Sequence, residues 1–230
     1  MKNLKIIFFG FIFLIIPFIV QATEGEFNID SSYDYLGRSK ISAFLYQIGV
    51  NALFYVEDDY YKKIGSDNIK IFSEAVQNLS REFDANIYPK LTNAFGSEWK
   101  PGIDNDERIT VLITQIKGDA GGYFNSGDEY SILQSPKSNQ REMVYLNANY
   151  ITSPLAKVFL AHEFTHLISF NQKDKIRGIT EEIWLNEMRS ELAPRILGYD
   201  NDYDNSNLKR RLGSFLQKPQ DPLTEWKNEA

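Results

Sequence analysis

His162, Glu163 and His166, in the run Ala161-His162-Glu163-Phe164-Thr165-His166, are spaced to hold a metal ion and to move a proton. On an α-helix, residues four apart differ by about 40° of rotation and about 6 Å of rise, so both imidazoles reach one ion. Glu163 falls on the flank beside them. A carboxylate there can take a proton from a water at the ion and later give it to a leaving amine. Two core histidines beside a surface glutamate would produce the same pentapeptide. Against that, the chain has only two histidines. Val158, His162, His166 and Phe170 also share one helical stripe, where imidazoles are costly to bury unless partnered. The expected cofactor is one catalytic Zn2+.

A catalytic zinc needs a third protein ligand and an open position. With no Cys and no further His, that ligand is Asp or Glu. The run Trp184-Leu185-Asn186-Glu187-Met188-Arg189-Ser190-Glu191 offers Glu187, 21 positions after His166, and Glu191 one turn later. The two share a helix face, so one can bind the ion while the other orients a ligand histidine through its second ring nitrogen. Two solvated surface acids are the plainer alternative. A carbonyl attacked by such a water becomes an oxyanion, which a tyrosine can help the metal to stabilise; Tyr199 and Tyr203 are the nearest downstream candidates, with inert exposed loop tyrosines as the plainer alternative.

Two helices must position these groups. Thr152 or Ser153 caps the first, with Pro154 in its first turn, and no breaker interrupts Leu155 to about Asn171. Thr180 caps the second, with Glu181 and Glu182 in its first turn, running to about Ile196 with Pro194 near its end. Upstream, Ala52 to Val56 reads as a strand, whereas residues 40–51 fit strand or helix equally. Ile69, Phe72, Val76, Leu79, Phe83, Ile87 and Leu91 predict one long amphipathic helix, capped by Ser66 and closed near Gly96. Pro101-Gly102 and Asp104-Asn105-Asp106 mark a turn. Ile109–Ile116 reads as a central strand, Gly118–Gly127 as a glycine-rich cleft rim, and Met143–Leu146 as another strand.

Lys2, Lys5 and the apolar run Ile6–Val20, ending Val20-Gln21-Ala22, predict a signal peptide over 1–22, with an uncleaved anchor as the alternative. The expected location is therefore extracellular or periplasmic, with no stable membrane association after cleavage. An N-terminal arm over 23–45, polar and without periodicity to residue 40, would precede a domain over 46–230. At 43% hydrophobic and 14% aromatic residues, the chain is one that folds. Its 25 basic residues, less Lys2 and Lys5, leave 23 against 31 acidic ones, net −8, which argues against a nucleic-acid partner. Without Cys, stability comes from the core and bound metal. Asp200 to Asn205 alternates acids as calcium loops do, but Asn205 and Arg211 stand where glycine and Glu are needed, so Ca2+ is a subsidiary expectation.

HEFTH followed by WLNEMRSELA resembles the gluzincin metallopeptidases and, more narrowly, the hyicolysin family. Similarity extends upstream through Pro101-Gly102-Ile103-Asp104, Ala120-Gly121-Gly122-Tyr123-Phe124 and Arg141-Glu142-Met143-Val144-Tyr145-Leu146, covering roughly residues 50–230. The resemblance implies His162, His166 and Glu187 as zinc ligands, Glu163 as general base, and protein or peptide substrates. It implies an α+β, zincin-like fold: a twisted mixed sheet packed on a backing helix and the HExxH helix. The strand around Val144 would be the cleft edge, pairing with extended substrate. Met188 departs from the family's usual glycine and is expected to crowd the helix pairing or narrow the cleft. Only 39 residues follow Glu191, which suggests a short or truncated C-terminal lobe. That shortness and Met188 motivate the alternative, a weakly active or inactive zinc-binding domain acting as a surface or interaction protein.

Overall fold

Strands β1 (Glu24–Asn28), β2 (Lys40–Ile48), β3 (Ala52–Glu57), β4 (Ile109–Thr114), β5 (Gly122–Phe124) and β6 (Met143–Asn147) form one sheet in the order β1-β2-β3-β4-β6-β5. The computed structural model describes residues 24–199 and positions 209, 212, 213 and 216–220. The expected leader at 1–22, Tyr203 and the Asp200–Asn205 acids lie outside the described residues. β3, β4 and β6 are parallel neighbours, buried from end to end. That is why they appear as unbroken apolar runs and not as alternating ones: both sheet faces are covered. The other pairings are antiparallel, so the sheet is mixed and the fold α+β.

One face carries Phe54, Val56, Val111, Ile113, Val144 and Leu146 against the helices. These are α1 (Asp58–Lys63), α2 (Ser66–Glu82), α3 (Tyr88–Phe95), α4 (Leu155–Phe170) and α5 (Ile183–Ile196). Among the described residues, no helix is long and apolar enough to cross a membrane. The opposite face carries Tyr55, Leu112, Met143 and Tyr145 in a second core with Phe27 and Ile41. The loop between β5 and β6 is tied to that face: the Tyr145 hydroxyl donates to Asp128 Oδ2 at 2.7 Å, and Asn139 bonds both Asp128 and the Asn28 carbonyl at 2.9 Å.

Two local expectations are corrected. The arm expected over 23–45 contains β1 and most of β2, paired in the main sheet, with Phe27 and Ile29 buried. Its polar residues are the solvent-facing half of β1 and of the adjoining β2, and they mask the few apolar anchors. The long helix from Ser66 is not uniform either. Its buried positions run 72, 76, 79, 83, 87, 91, and the last three steps are four residues long. Steps of four outrun a 3.6-residue period, and a wide π turn over Phe83–Ile87 absorbs the excess just before Pro89, which has no N–H to donate.

Glu129 ends a 3-10 turn, Ser126–Glu129, within the β5–β6 loop; it is 1% exposed, and neither carboxylate oxygen has a hydrogen-bond partner among the described residues. Burial and then the neighbouring Glu142 push its carboxyl from 4.5 up to about 9, against the pull of Lys175. Between those two values the folded state holds a proton that the unfolded chain has released. Its contribution is therefore full at low pH and is lost as pH rises from about 4.5 towards 9. Glu129→Gln is expected to stabilise the protein by about 1–3 kcal/mol at pH 8 and to flatten this decline. Melting temperature measured across pH checks it; an unchanged profile would show that the carboxyl finds its own partner.

Candidate metal centre

α4 is entered through Ser153, whose hydroxyl accepts the Leu155 N–H at 3.2 Å, but the N-cap itself is Pro154, one residue later than expected and ahead of the first turn. Leu160, Ala161, Phe164, Leu167 and Ile168 are fully buried, so packing fixes the rotation of α4. That rotation turns His162, Glu163 and His166 to the adjoining cleft. α5 packs against α4, and Arg189 fastens it there, bonding Ser169 on α4 at 3.1 Å and Glu181 in the preceding loop at 2.6 Å. This explains why α5 begins at Ile183, with Glu182 at its N-cap, and not at Thr180: Glu181 is drawn to Arg189 instead of the helix's first turn.

The two His Nε2 atoms are 3.1 Å apart. Glu187 places Oε2 3.5 Å from His162 Nε2 and Oε1 3.5 Å from His166 Nε2. Two ligands about 2.1 Å from a tetrahedral ion are about 3.4 Å apart, so these donor atoms are already at coordination spacing. Among the described residues this is the one group of three His, Cys, Asp or Glu with ligand atoms close enough to hold a metal. Glu191 is not part of it. Its Oε1 lies 3.6 Å from His162 Nδ1, on the far side of the ring.

The second nitrogen of His166 faces Asn186 Oδ1 at 3.0 Å and Ser190 Oγ at 3.2 Å. With an amide oxygen as acceptor, Nδ1 carries the proton and Nε2 presents its lone pair to the site. Asn186 and Ser190 therefore form one i,i+4 pair serving His166, while Glu187 and Glu191 form another around His162. The sequence motif contains both pairs, but only the acidic one was legible as ligand chemistry. Asn186→Ala is expected to weaken metal affinity about 10–100-fold, measured by competition with a chromophoric chelator.

Glu163 is 7% exposed and lies against the start of β5. A Cβ on Gly122 would come within 2.5 Å of the Tyr145 carbonyl and 2.9 Å of Glu163 Cγ, so glycine here is what lets the carboxylate approach the strand. Burial pushes the Glu163 carboxyl up to about 7, with His162 opposing and Glu187 and Glu191 adding to the rise. Burial alone would lower His162, but the hydrogen bond to Glu187 and the surrounding carboxylates hold it above the usual imidazole value. His166 is lowered by burial and by His162.

A cleft of about 400 Å³ opens over these groups, walled by Gly122–Phe124 of β5, by α4, by Ile183, Asn186 and Glu187, and by Tyr33. β5 is the edge of the sheet and β6 lies inside it, between β4 and β5, which corrects the expectation that the Val144 strand forms the cleft edge. A three-residue strand inside a glycine-rich run carries too little pattern to be seen in sequence. Tyr199 is not at the cleft: its hydroxyl donates to Glu82 Oε1 at 2.5 Å and accepts from Asn86 at 3.1 Å. Met188 is 57% exposed, so it does not press on the α4–α5 contact. Tyr33, from the supposed arm, had no sequence signal, because only sheet pairing brings it here.

No family model matches the chain. Over 201 residues it is 26% identical to the neutral metalloprotease ShpI of Staphylococcus hyicus, an alignment covering 79% of this chain. The chain spans 38% of the length of that relative.

Proposed function

We propose that this protein is a zinc metallopeptidase of the gluzincin type, close to the hyicolysin family and zincin-like in fold. It hydrolyses peptide bonds in protein or peptide substrates, and it is exported through the leader at 1–22. The observation that carries the reading is the spacing of His162, His166 and Glu187 at coordination distance beside the buried Glu163. Similarity to a neutral metalloprotease supports it.

His162 and His166 Nε2 and a Glu187 oxygen would hold the ion. When bound, zinc polarises the scissile carbonyl and acidifies a water. Glu163 takes the proton from the attacking water, holds it on its carboxylate, and delivers it to the nitrogen of the leaving amine. Burial against Gly122 fixes that carboxylate and raises its affinity for the proton, as a base that must later act as an acid requires. Asn186 and Ser190 orient His166, and Glu191 faces the outer nitrogen of His162. β5 is hydrogen-bonded to a neighbour on one side only, so its free edge can pair with an extended substrate above Glu163.

Metal analysis and casein cleavage on the purified protein test this reading. One zinc per chain with chelator-sensitive cleavage is the expected result. A preparation without zinc affinity would sink it. Zinc without cleavage would favour the binding-only alternative.

A further inference from the structure

Attack on a peptide carbonyl turns its oxygen into an oxyanion, and a site that speeds the reaction directs a hydrogen-bond donor at that oxygen. Among the described residues, the side-chain donors around the cleft can be taken in turn. His166 Nδ1 is committed to Asn186. Arg189 is committed to Glu181 and Ser169. Tyr123 is buried at 7% exposure beneath the Tyr33 ring, and its hydroxyl oxygen accepts the Asp30 N–H at 3.4 Å. Tyr199 bonds Glu82 and Asn86. Tyr33 remains: it lines the cleft, is 40% exposed, and its hydroxyl has no hydrogen-bond partner among the described residues. Burial, and then the charges of Glu163, Asp30 and Glu187, push this hydroxyl above the usual phenol value, so it keeps its proton.

Tyr33 is also held as a preorganised donor should be. Its ring stacks on Tyr123 at 4.6 Å and 18°, and Tyr123 stacks on Tyr145 at 4.1 Å and 10°. Its N–H donates to the Asp30 carbonyl at 3.0 Å, and its own carbonyl accepts the Lys117 N–H at 2.9 Å. The next residue, Asp34, is buried and bridges Ile116 in the backbone. Arg38 clamps it from behind, 2.7 Å from Asp34 and 2.7 Å from the buried Glu57. The two buried carboxylates, bridged by the partly exposed Arg38, thus fix the backbone that carries the Tyr33 ring.

We propose that the Tyr33 hydroxyl is the donor this cleft presents to the oxyanion of the tetrahedral adduct. The proposal rests on the peptidase reading above. In the step concerned, the water oxygen bonds the carbonyl carbon, the carbonyl π pair moves to oxygen, and Glu163 takes the water's proton. On collapse the C–N bond breaks and that proton goes to nitrogen. Tyr33 keeps its own proton throughout and contributes only the hydrogen bond.

Tyr33→Phe keeps the ring and its stack and removes the hydroxyl. With zinc loaded, kcat is expected to fall about 10²–10³-fold, with KM, zinc stoichiometry and melting temperature unchanged. Affinity for a phosphonamidate peptide, whose tetrahedral oxygen imitates the adduct, should fall in parallel. Affinity for a thiol-bearing dipeptide that reaches the metal without an oxyanion should not. Unchanged turnover and phosphonamidate affinity would overturn the proposal. So would equal loss of both ligands, because that reports a deformed cleft. Wild-type protein that binds zinc but cleaves nothing fails the peptidase reading instead, and the two ligand affinities still decide Tyr33.

Discussion

Glu163→Gln is expected to lower kcat about 10²–10⁴-fold while one zinc per chain is retained. The amide has the volume and polarity to fill the same place against Gly122, so the strand contact survives. The ligand atoms belong to other side chains, so metal binding survives too. What is lost is the ability to accept a proton from water and return it to the amine. Turnover and metal content of the same preparation read the two effects separately. Full activity in the variant would mean that another group is the base. A second signature accompanies it. Burial raises the Glu163 carboxyl from 4.5 to about 7, so in the metal-free protein this group's contribution to stability is full at low pH and declines between those values. Metal-free Glu163→Gln should lack that portion of the decline.

Glu187→Ala should abolish zinc retention, and with it any shift in melting temperature between zinc-loaded and chelated protein. In the wild type, free zinc at about 1,000 times its dissociation constant would add about 4 kcal/mol to folding. The reason for so complete a loss is the donor count: without Glu187 two imidazoles remain, and the chain has no other His and no Cys to replace it. Glu191 cannot step in without moving α5, because its carboxylate faces His162 Nδ1 on the opposite side of the ring from the Nε2 pair. Calorimetry with and without chelator, beside metal analysis, checks this. Stoichiometric zinc surviving dialysis in Glu187→Ala would transfer the third ligand to another residue.

The helix-borne part of the site was legible because helical spacing is local. Four residues separate His162 from His166, and no tertiary fact is needed to put their rings on one face. The apolar runs of β3, β4 and β6 were legible for a similar reason, since burial on both faces leaves no alternation to decode. The edge elements were not. β1 and β5 are short and half-polar, and their membership in the sheet depends on partners distant in sequence. The π turn at Phe83–Ile87 was hidden because apolar spacing fixes which residues face inward, not how many residues each turn uses.

By itself, then, the sequence determined a helix with two imidazoles and a carboxylate on adjoining flanks, a second helix with paired acids, and the absence of any other soft ligand. Which acid faces the Nε2 atoms, which groups hold His166, which strand rims the cleft and which tyrosine reaches it were decided only by the tertiary structure. Those choices depend on the rotation of α5 against α4 and on strand pairing across the sheet, and both are set by the packing of residues far apart in the chain. Arg189 bridging Ser169 and Glu181, and Asp34 clamped through Arg38 to Glu57, are the contacts that fix them.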